Sequence, residues 1–301
     1  MNILLLGKNG QLGWELQRSL ACLGELVALD RHSAPHRGDL GDLTALADTV
    51  RAHRPDVIVN AAAYTAVDQA ESDEDMARTI NACAPAVLAR EAATLGALLV
   101  HFSTDYVFDG SGQRAWTESD VPAPLNVYGQ TKLEGEQAIQ AACPRHLIFR
   151  TSWIYAARGG NFAKTMLRLA RERDRDRLTV IDDQWGAPTG ADLLADVAAH
   201  CIRQVLQRPG DGGLYHLAAS GETSWFGYAK HVLAGGFIAQ SAIEIEAIEA
   251  KEVVAVPSCA FATVAARPLN SRLNTHRLQA VFGLRLPPWQ HGVDRLLAEI
   301  Q

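Results

Sequence analysis

The chain has 301 residues, a formal net charge of −6 and 48% hydrophobic residues, which allows one large α/β domain or two modest ones with an ample core. This acidic balance argues against a nucleic-acid-binding surface and against a basic membrane patch. Five cysteines without a Cys-x-x-Cys pair indicate reduced thiols. With no basic leader and no apolar run near the roughly 20 residues of a membrane span, the sequence predicts a cytoplasmic protein without a membrane partner.

A buried strand followed by a glycine-rich turn opens the chain. The continuous apolar run Ile3–Leu6 is typical of a central parallel strand that is covered on both faces. Three glycines at a spacing of three follow at once, with Gln11 and Leu12 between the last two: Gly7, Gly10 and Gly13. Between a strand and a helix, such a turn lets backbone N–H groups approach a pyrophosphate, so it predicts a dinucleotide site.

The second predicted strand, Leu26–Leu29, ends at Asp30 and Arg31. An acid about 20 residues beyond the glycine turn is where the ribose 2′-hydroxyl is bound, so Asp30 favours NADH. Arg31 can accept a 2′-phosphate and favours NADPH, so the two residues leave the choice of cofactor open. Asp39 and Leu40 follow in a loop, where the acid fits the start of the next helix equally well.

Strands and helices alternate from there to residue 155. The predicted elements are a helix over 42–53, a strand over 56–60, a helix over 75–95 interrupted near Pro85, a strand over 97–102, a helix from Tyr128 to Cys143 and a strand over 146–151. The small residues Ala61, Ala62 and Ala63, followed by Tyr64 and Thr65, let a flat ligand lie close to the backbone, although helix–sheet packing uses alanines as well. The alternation predicts a doubly wound parallel sheet whose ligands lie beyond the carboxyl ends of its strands.

The stretch from Ser103 to Lys132 carries the strongest signal for chemistry. Tyr128 and Lys132 are four apart at the front of a predicted helix, which places them on one face with Cβ atoms roughly 5–6 Å apart. An ammonium and the positive helix end both favour the phenolate, so we expect the pKa of Tyr128 to fall below its usual value of about 10. Thr104 ends the neighbouring strand, where it is placed to hold a substrate oxygen together with the phenol. The group predicts a carbonyl/alcohol redox site.

The last third of the chain changes character. Its predicted elements are a helix over 161–173, strands over 178–181 and 214–217, a helix over 192–207, a helix that starts at Ser224, an edge strand over 244–248 and a terminal helix over 289–300. We expect a Rossmann-type nucleotide-binding domain over 1–155. Residues 156–301 are expected to form mainly a smaller substrate-binding lobe, interleaved with segments that return to the first domain.

Taken together, these motifs resemble the extended short-chain dehydrogenase/reductase superfamily over nearly the whole chain, and more closely its dTDP-4-dehydrorhamnose reductase group. The glycine turn and the Tyr128–Lys132 motif belong to the superfamily generally. The remaining markers narrow the resemblance to the reductase group: Asn60–Asp68, Ser103–Gly110, Arg150–Tyr155 and Arg267–Leu273.

The resemblance implies a role for individual residues. Thr104, Tyr128 and Lys132 match the catalytic trio, and the last two also match cofactor positions. The other expected cofactor-binding residues are Gly7, Gly10, Gln11, Leu12, Gly13, Asp30, Arg31, Asp39, Leu40, Ala62, Ala63, Tyr64 and Thr65. The expected substrate-binding residues are Thr104, Asp105, Tyr106 and Trp153. Because Trp153 lies at the end of a strand, it is as consistent with packing between the lobes as with a platform for the sugar.

The reaction implied by the resemblance is reduction of the C4 ketone of dTDP-4-dehydro-β-L-rhamnose to dTDP-β-L-rhamnose with NADPH or NADH. This is the last step of dTDP-L-rhamnose synthesis and belongs to lipopolysaccharide and O-antigen biosynthesis. We expect a nucleotide-sugar substrate, a monomer or homodimer, and no metal. Arg267 and Arg272 are candidates for the nucleotide diphosphate, while His101, His146 and His216 lie on apolar strands and are predicted to be hydrogen-bonded core groups.

Two alternatives remain open. One is another nucleotide-sugar enzyme of the superfamily, an epimerase or a dehydratase. A 4,6-dehydratase typically carries an Asp-Glu pair beside its catalytic threonine, whereas Thr104 is followed by Asp105 and Tyr106, which disfavours that chemistry. The other is a non-catalytic regulatory subunit that keeps only nucleotide binding, which the retention of Thr104, Tyr128 and Lys132 together disfavours.

Overall fold

The computed structural model describes residues 1–172, 177–240 and 252–300. Its strands are β1 (Asn2–Leu6), β2 (Glu25–Leu29), β3 (Val57–Asn60), β4 (Leu98–Thr104), β5 (His146–Thr151), β6 (Ile154–Tyr155), β7 (Arg177–Ile181), β8 (Trp185–Gly186), β9 (Thr189–Gly190), β10 (Gly213–His216), β11 (Thr223–Ser224) and β12 (Glu252–Val256). Its α-helices are α1 (Gln11–Leu20), α2 (Leu43–His53), α3 (Val67–Ala70), α4 (Glu74–Arg78), α5 (Ala84–Leu95), α6 (Val127–Ala142), α7 (Phe162–Ala170), α8 (Ala191–Gln207), α9 (Trp225–Gln240), α10 (His276–Phe282) and α11 (Trp289–Glu299).

Six parallel strands form the central sheet in the order β10-β5-β4-β3-β1-β2. From β1 the chain first adds β2 on one side and then β3, β4 and β5 on the other. The order therefore reverses between β1 and β3, and ligands of such sheets bind at this switch point, beyond the carboxyl ends of the strands. The predicted doubly wound parallel sheet is confirmed.

Both faces of the sheet are covered by helices, which explains the continuous apolar runs of its strands. Ile3 and Leu5 of β1 pack on one side, in a core shared with α1, α8 and α10. Leu4 and Leu6 pack on the other side, with α2, α5 and α6. All four side chains are at most 1% exposed. Because adjacent residues of one strand point to opposite faces, this run of four leucine or isoleucine residues fills both layers.

A further core lies outside the sheet and is rich in aromatic residues. It joins α7, α9 and α11 through buried side chains that include Tyr155, Tyr228 and Trp289. Beside it, β7 and β12 pair in parallel as a small two-stranded sheet. The sequence reading missed β12, and the edge strand predicted over 244–248 lies outside the described residues.

The helix predicted over 75–95 is divided near Pro85, as expected. A π-helical turn, Thr79–Cys83, joins α4 to α5, and Pro85 lies in the first turn of α5. Because proline has no N–H group, it cannot donate to the carbonyl of Asn81 four residues earlier. That carbonyl instead lies against α6, where a Cβ at Gly135 would come within 2.2 Å of it. The turn therefore sets the distance between α5 and the helix that carries Tyr128.

Candidate active site

A cleft of about 610 Å³ opens at the switch point, beyond the carboxyl ends of the central strands. The predicted site residues that line it are Gly7, Gly10, Gln11, Leu12, Ala62, Ala63, Thr65, Thr104, Asp105, Tyr106, Tyr128, Lys132 and Trp153. The predicted residues outside its lining are Gly13, Asp30, Arg31, Asp39, Leu40 and Tyr64. The structure thus brings residues that follow β1, β3, β4 and β5, and residues of α6, to one cleft.

The glycine turn leaves no room for side chains between β1 and α1. Gly7 has a φ of +90°, in the region that favours glycine. A Cβ at Gly13 would come within 2.0 Å of the carbonyl oxygen of Gly7, so the turn packs directly on the helix. Gly10 begins α1 without a side-chain cap, which leaves the first N–H groups of the helix facing the cleft without a side-chain acceptor. These features fit a pyrophosphate.

Asp30 lies beside this turn, at the end of β2. Its carboxylate accepts hydrogen bonds from the side chain of Asn9, from His32 N at 2.9 Å and from Ser33 Oγ at 2.9 Å. Although partial burial opposes ionisation, these hydrogen bonds and the charge of Lys8 lower the pKa of Asp30. Lys8 Nζ also donates to Ser33 Oγ at 3.1 Å. A carboxylate and an ammonium therefore lie together where a ribose would approach.

Three other predicted cofactor residues hold loops in place. Asp39 accepts the N–H of Gly41 at 2.9 Å, and Leu40 is buried in the core beneath α2. Tyr64 donates its hydroxyl to Asp73 at 3.1 Å, and Asn81 pairs with both the N–H and the carbonyl of Tyr64 at 2.9 and 3.1 Å. The sequence reading missed Asn81, whose amide ties the loop after β3 to the π-helical turn.

The start of α6 is held by its cap and by a glycine contact. Asn126 Oδ1 accepts the N–H of Gly129 at 2.7 Å, which caps the helix, and its Nδ2 donates to the carbonyl of Ala266 at 2.7 Å. A Cβ at Gly129 would lie 2.2 Å from the carbonyl oxygen of Tyr106. This contact brings the start of α6 close to the end of β4, so that Thr104 and Tyr128 line the same cleft and Thr104 acts to lower the pKa of the phenol.

The ionisation of Tyr128 and Lys132 differs from the sequence expectation. Burial raises the pKa of Tyr128 to about 12, opposed by Thr104. Lys132 Nζ donates to the carbonyl of Phe102 at 2.6 Å and lies 3.1 Å from His101 Nε2. Burial lowers the pKa of Lys132 to about 8. The expected fall in the pKa of Tyr128 is wrong, because burial of the phenol disfavours the phenolate, while Lys132 Nζ is turned toward Phe102 and His101.

Asp105 adds a second unusual acid to the cleft. Thr104 Oγ1 donates to Asp105 Oδ1 at 3.2 Å and accepts the N–H of Tyr106 at 3.1 Å. Burial raises the pKa of Asp105 to about 7. Its Oδ2 is buried without a partner, as are the hydroxyls of Ser103 and Thr151, and all three residues line the cleft. Unpaired buried polar groups fit a polar ligand that would complete their hydrogen bonds.

Two stacked tryptophans form the far wall of the cleft. Trp153 adopts a φ of +49° and stacks on Trp225 with ring centroids 3.7 Å apart and planes 16° apart. A Cβ at Gly186 would lie 2.9 Å from the Trp153 ring, so glycine makes room for it. Trp225 also donates its Nε1 to Gln184 at 3.2 Å. The sequence reading missed Trp225 as a cleft residue, since only its position at the start of a helix was visible.

The two arginine candidates differ in their surroundings. Arg267 donates to Asp68 at 2.7 Å, while its Nη1 is buried without a partner. Arg272 pairs with Glu222 at 2.7 Å. Among the described residues, no cluster of three or more His, Cys, Asp or Glu side chains is arranged to hold a metal ion. Within the same ranges, no helix has the length and apolar character needed to cross a membrane.

A Rossmann-type sheet with Thr104, Tyr128 and Lys132 beside a glycine turn defines a short-chain dehydrogenase/reductase. A family model described as "RmlD substrate binding domain" matches residues 1–301, so the chain belongs to this family and the resemblance seen in the motifs is confirmed.

Full-length relatives agree with this assignment. The chain is 55% identical over 300 residues to a dTDP-4-dehydrorhamnose reductase of Escherichia coli K12, covering 100% of this chain and 98% of that protein. It is similar to the crystal structure of a dTDP-4-dehydrorhamnose reductase from Clostridium acetobutylicum, with 34% identity, a TM-score of 0.87 and 99% of each chain covered. The Bacillus anthracis enzyme of that name, solved in complex with NADP, has 33% identity, a TM-score of 0.86 and 99% of each chain covered.

Proposed function

We propose that the protein is a dTDP-4-dehydrorhamnose reductase, which reduces the C4 ketone of dTDP-4-dehydro-β-L-rhamnose to dTDP-β-L-rhamnose with NADPH or NADH. The observation that carries the proposal is that Thr104, Tyr128 and Lys132 line one cleft together with the glycine turn. Full-length identity of 55% to a reductase of that name supports the choice of substrate.

Each residue of the trio has a distinct task in this reaction. The nicotinamide cofactor, when bound, supplies the hydride. The hydroxyl of Thr104 orients the substrate carbonyl, and Tyr128 donates its proton to the carbonyl oxygen as the C4 alcohol forms. Because the pKa of Tyr128 is about 12, the phenol carries this proton throughout the neutral range. Lys132 holds the nicotinamide ribose. Proton donation by a positioned acid such as Tyr128 contributes about 10²–10⁴-fold to the rate.

Both reduced cofactors are proposed to serve. Asp30 is placed for a ribose 2′-hydroxyl, as in NADH, and its hydrogen bonds to His32 and Ser33 keep it ionised. Lys8 and Arg31 flank it and offer positive charge to the 2′-phosphate of NADPH. Binding of NADH and binding of NADPH do not exclude each other. Lys8 and Arg31 lie beside Asp30 and leave its carboxylate in place.

We propose the lobe division expected from the sequence, with 1–155 binding the cofactor and most of 156–301 binding the sugar nucleotide. The separate aromatic core of α7, α9 and α11 supports it, and β10, α8 and α10 are segments that return to the central sheet and its core. In this arrangement Trp153 and Trp225 would meet the sugar nucleotide, and Asp105 and Tyr106 would contact it from the opposite wall.

The cellular setting is proposed on chemical grounds. All five cysteines are unpaired, three of them exposed, as expected of a protein in a reducing cytoplasm. The product is an activated deoxysugar, so the proposed destination is lipopolysaccharide O-antigen synthesis. A monomer or a homodimer is proposed as the working form.

The test is to incubate the protein with dTDP-4-dehydrorhamnose and NADPH or NADH while following the absorbance of the reduced nicotinamide. We expect one cofactor oxidised per product formed, and a loss of at least about 10²-fold in kcat for Tyr128→Phe. Tyr155→Phe is the matched control, because that tyrosine is buried in the aromatic core, and it should keep kcat within about threefold. Turnover of a sugar nucleotide without net cofactor oxidation would instead identify an epimerase.

A further inference from the structure

The loop between β6 and α7 is seated on the first turn of α1. It leads from the strand end at Tyr155 to a helix of the separate aromatic core. Arg158 of this loop places its guanidinium 4.0 Å from the centre of the Trp14 ring. Gly159 adopts a φ of +79°, and a Cβ there would lie 3.1 Å from Cγ of Gln11. The loop therefore covers the side chain of a residue that also lines the cleft.

Asn161, at the end of this loop, is hydrogen-bonded to Gln11. Its Nδ2 donates to Gln11 Oε1 at 3.2 Å and to the carbonyl of Ala156 at 2.7 Å. Its Oδ1 accepts the N–H of Lys164 at 3.1 Å and so caps α7. The side-chain amide of Asn161 thus uses both of its N–H groups and its oxygen within the protein.

These partners leave the Asn161 amide only one orientation. Turning it over would set its oxygen against the carbonyl of Ala156 and its NH₂ group against the N–H of Lys164. Asn161 can therefore only donate to Gln11, and Gln11 must present its oxygen to the loop. The NH₂ group of Gln11 is then left over, and it makes no hydrogen bond to any other residue that the structure describes.

A free NH₂ group at the start of α1 is suited to an anion. Gln11 is the first residue of the helix, whose first N–H groups have no side-chain acceptor and carry the positive end of its dipole. The anionic part of a nicotinamide dinucleotide at such a turn is its diphosphate. An N–H group that donates to a charged oxygen makes a stronger hydrogen bond than one that donates to a neutral oxygen.

We propose that Asn161 is a positioning residue for the cofactor, which holds the Gln11 amide with its NH₂ group toward the diphosphate. The hydrogen bond comes from the loop that leads into α7, so a segment of the proposed substrate-binding lobe completes the cofactor site of the other lobe. This proposal rests on the nicotinamide dinucleotide of the proposed function. It does not depend on which sugar nucleotide is reduced.

The experiment measures cofactor binding in a double-mutant cycle. Gln11→Met keeps the length of the side chain and removes its NH₂ group, and Asn161→Ser keeps an N-cap for α7 but releases Gln11. Titration followed by NADPH fluorescence should give a Kd about tenfold weaker for Gln11→Met and about threefold weaker for Asn161→Ser. In the Gln11→Met background, Asn161→Ser should cause no further loss, because no amide remains to be oriented.

A ligand without the diphosphate separates this effect from a general disturbance of the site. Adenosine 2′-monophosphate shares the adenosine and the 2′-phosphate of NADPH, so its Kd, measured by calorimetry, should be the same in the wild type and in every variant. Thr165→Val is the matched control. It removes the hydrogen bond from Thr165 Oγ1 to the backbone carbonyl of Asn161 at 3.0 Å, leaves both side-chain amides in place and should not change the Kd of NADPH.

Four results would overturn the proposal. The first is a Gln11→Met protein that binds NADPH as tightly as the wild type. The second is a cycle in which the two losses add, because Asn161 would then act only on the loop. The third is adenosine 2′-monophosphate weakened in parallel with NADPH. The fourth needs no variant: a crystal structure of the wild type with NADPH in which the Gln11 amide does not contact the diphosphate.

These outcomes are distinguishable from a failure of the proposed function. Each of the four is read in a protein that binds NADPH, so each removes the role of Asn161 and leaves the reductase assignment standing. A folded wild type that binds neither NADPH nor NADH would remove both proposals.

Discussion

A buried ion pair on the catalytic helix provides the sharpest test of what holds the site together. Arg150 of β5 donates Nε to Glu136 Oε1 at 2.9 Å and Nη2 to Glu136 Oε2 at 2.6 Å, and the two side chains are 4% and 1% exposed. Arg150 Nη1 has no partner, and its guanidinium lies 5.0 Å from the centre of the Phe108 ring. Glu136→Gln keeps the shape and removes the charge that compensates the guanidinium.

The size of the effect follows from that burial. Breaking a buried pair by neutralising one partner destabilises the fold by about 3–5 kcal/mol, because an uncompensated charge remains inside. Unfolding entropy of about 2.1 cal/mol/K per residue gives roughly 0.6 kcal/mol/K for a chain of this length. We therefore expect Glu136→Gln to lower Tm by about 5–8 °C.

Calorimetry of the wild type and three variants decides the matter. Glu252→Gln is the matched control, because its pair with Arg177 is 64% and 62% exposed and should shift Tm by less than about 2 °C. Replacing both buried partners, as Glu136→Leu with Arg150→Met, should recover most of the loss, since no charge is then left unpaired. A Glu136→Gln protein that melts within about 2 °C of the wild type would contradict the reasoning.

Two further changes test the glycine turn and the second acid. Gly13→Ala places a Cβ 2.0 Å from the Gly7 carbonyl oxygen, so the glycine turn must shift. Titration followed by NADPH fluorescence should then give a Kd at least about tenfold weaker. Gly160→Ala is the control, because a Cβ there has nothing within 4 Å, and it should leave the Kd unchanged. Asp105→Asn removes a carboxyl whose pKa is raised by burial to about 7. The native state keeps this proton between about pH 4 and pH 7, where the unfolded chain has lost it, so wild-type stability falls as pH rises through that window. Urea unfolding at pH 5 and pH 8 should show a fall of about 3 kcal/mol that the variant lacks, and equal falls in both proteins would rule the assignment out.

The sheet was predictable because its inner strands β1, β3, β4 and β5 are buried on both faces. Runs such as Ile3–Leu6 are apolar throughout, which is typical of buried parallel strands. Each run is followed by small or polar residues at the carboxyl end of the strand. β12 was missed for the opposite reason. Its residues are exposed or half-buried, whereas its partner β7, which was predicted over 178–181, alternates between buried and exposed residues.

Side-chain direction was beyond the sequence, and it decided the electrostatics of the site. The spacing of Tyr128 and Lys132 correctly predicts one helical face, but nothing in the spacing says that the ammonium nitrogen turns inward to Phe102 and His101. The place of Trp225 in the cleft was equally unpredictable, because it depends on stacking with Trp153, which is distant in sequence. Contacts between residues far apart in sequence cannot be predicted from a local pattern of residues.

The contact between Gly129 and the carbonyl of Tyr106 means that main chain meets main chain where α6 crosses the end of β4. Backbone atoms do not change rotamer, so the spacing between the backbone segments that carry Thr104 and Tyr128 is as rigid as the peptide units in contact. Substitutions on the outer surface of α6 would leave this spacing unchanged. A single methyl group at position 129 would widen it.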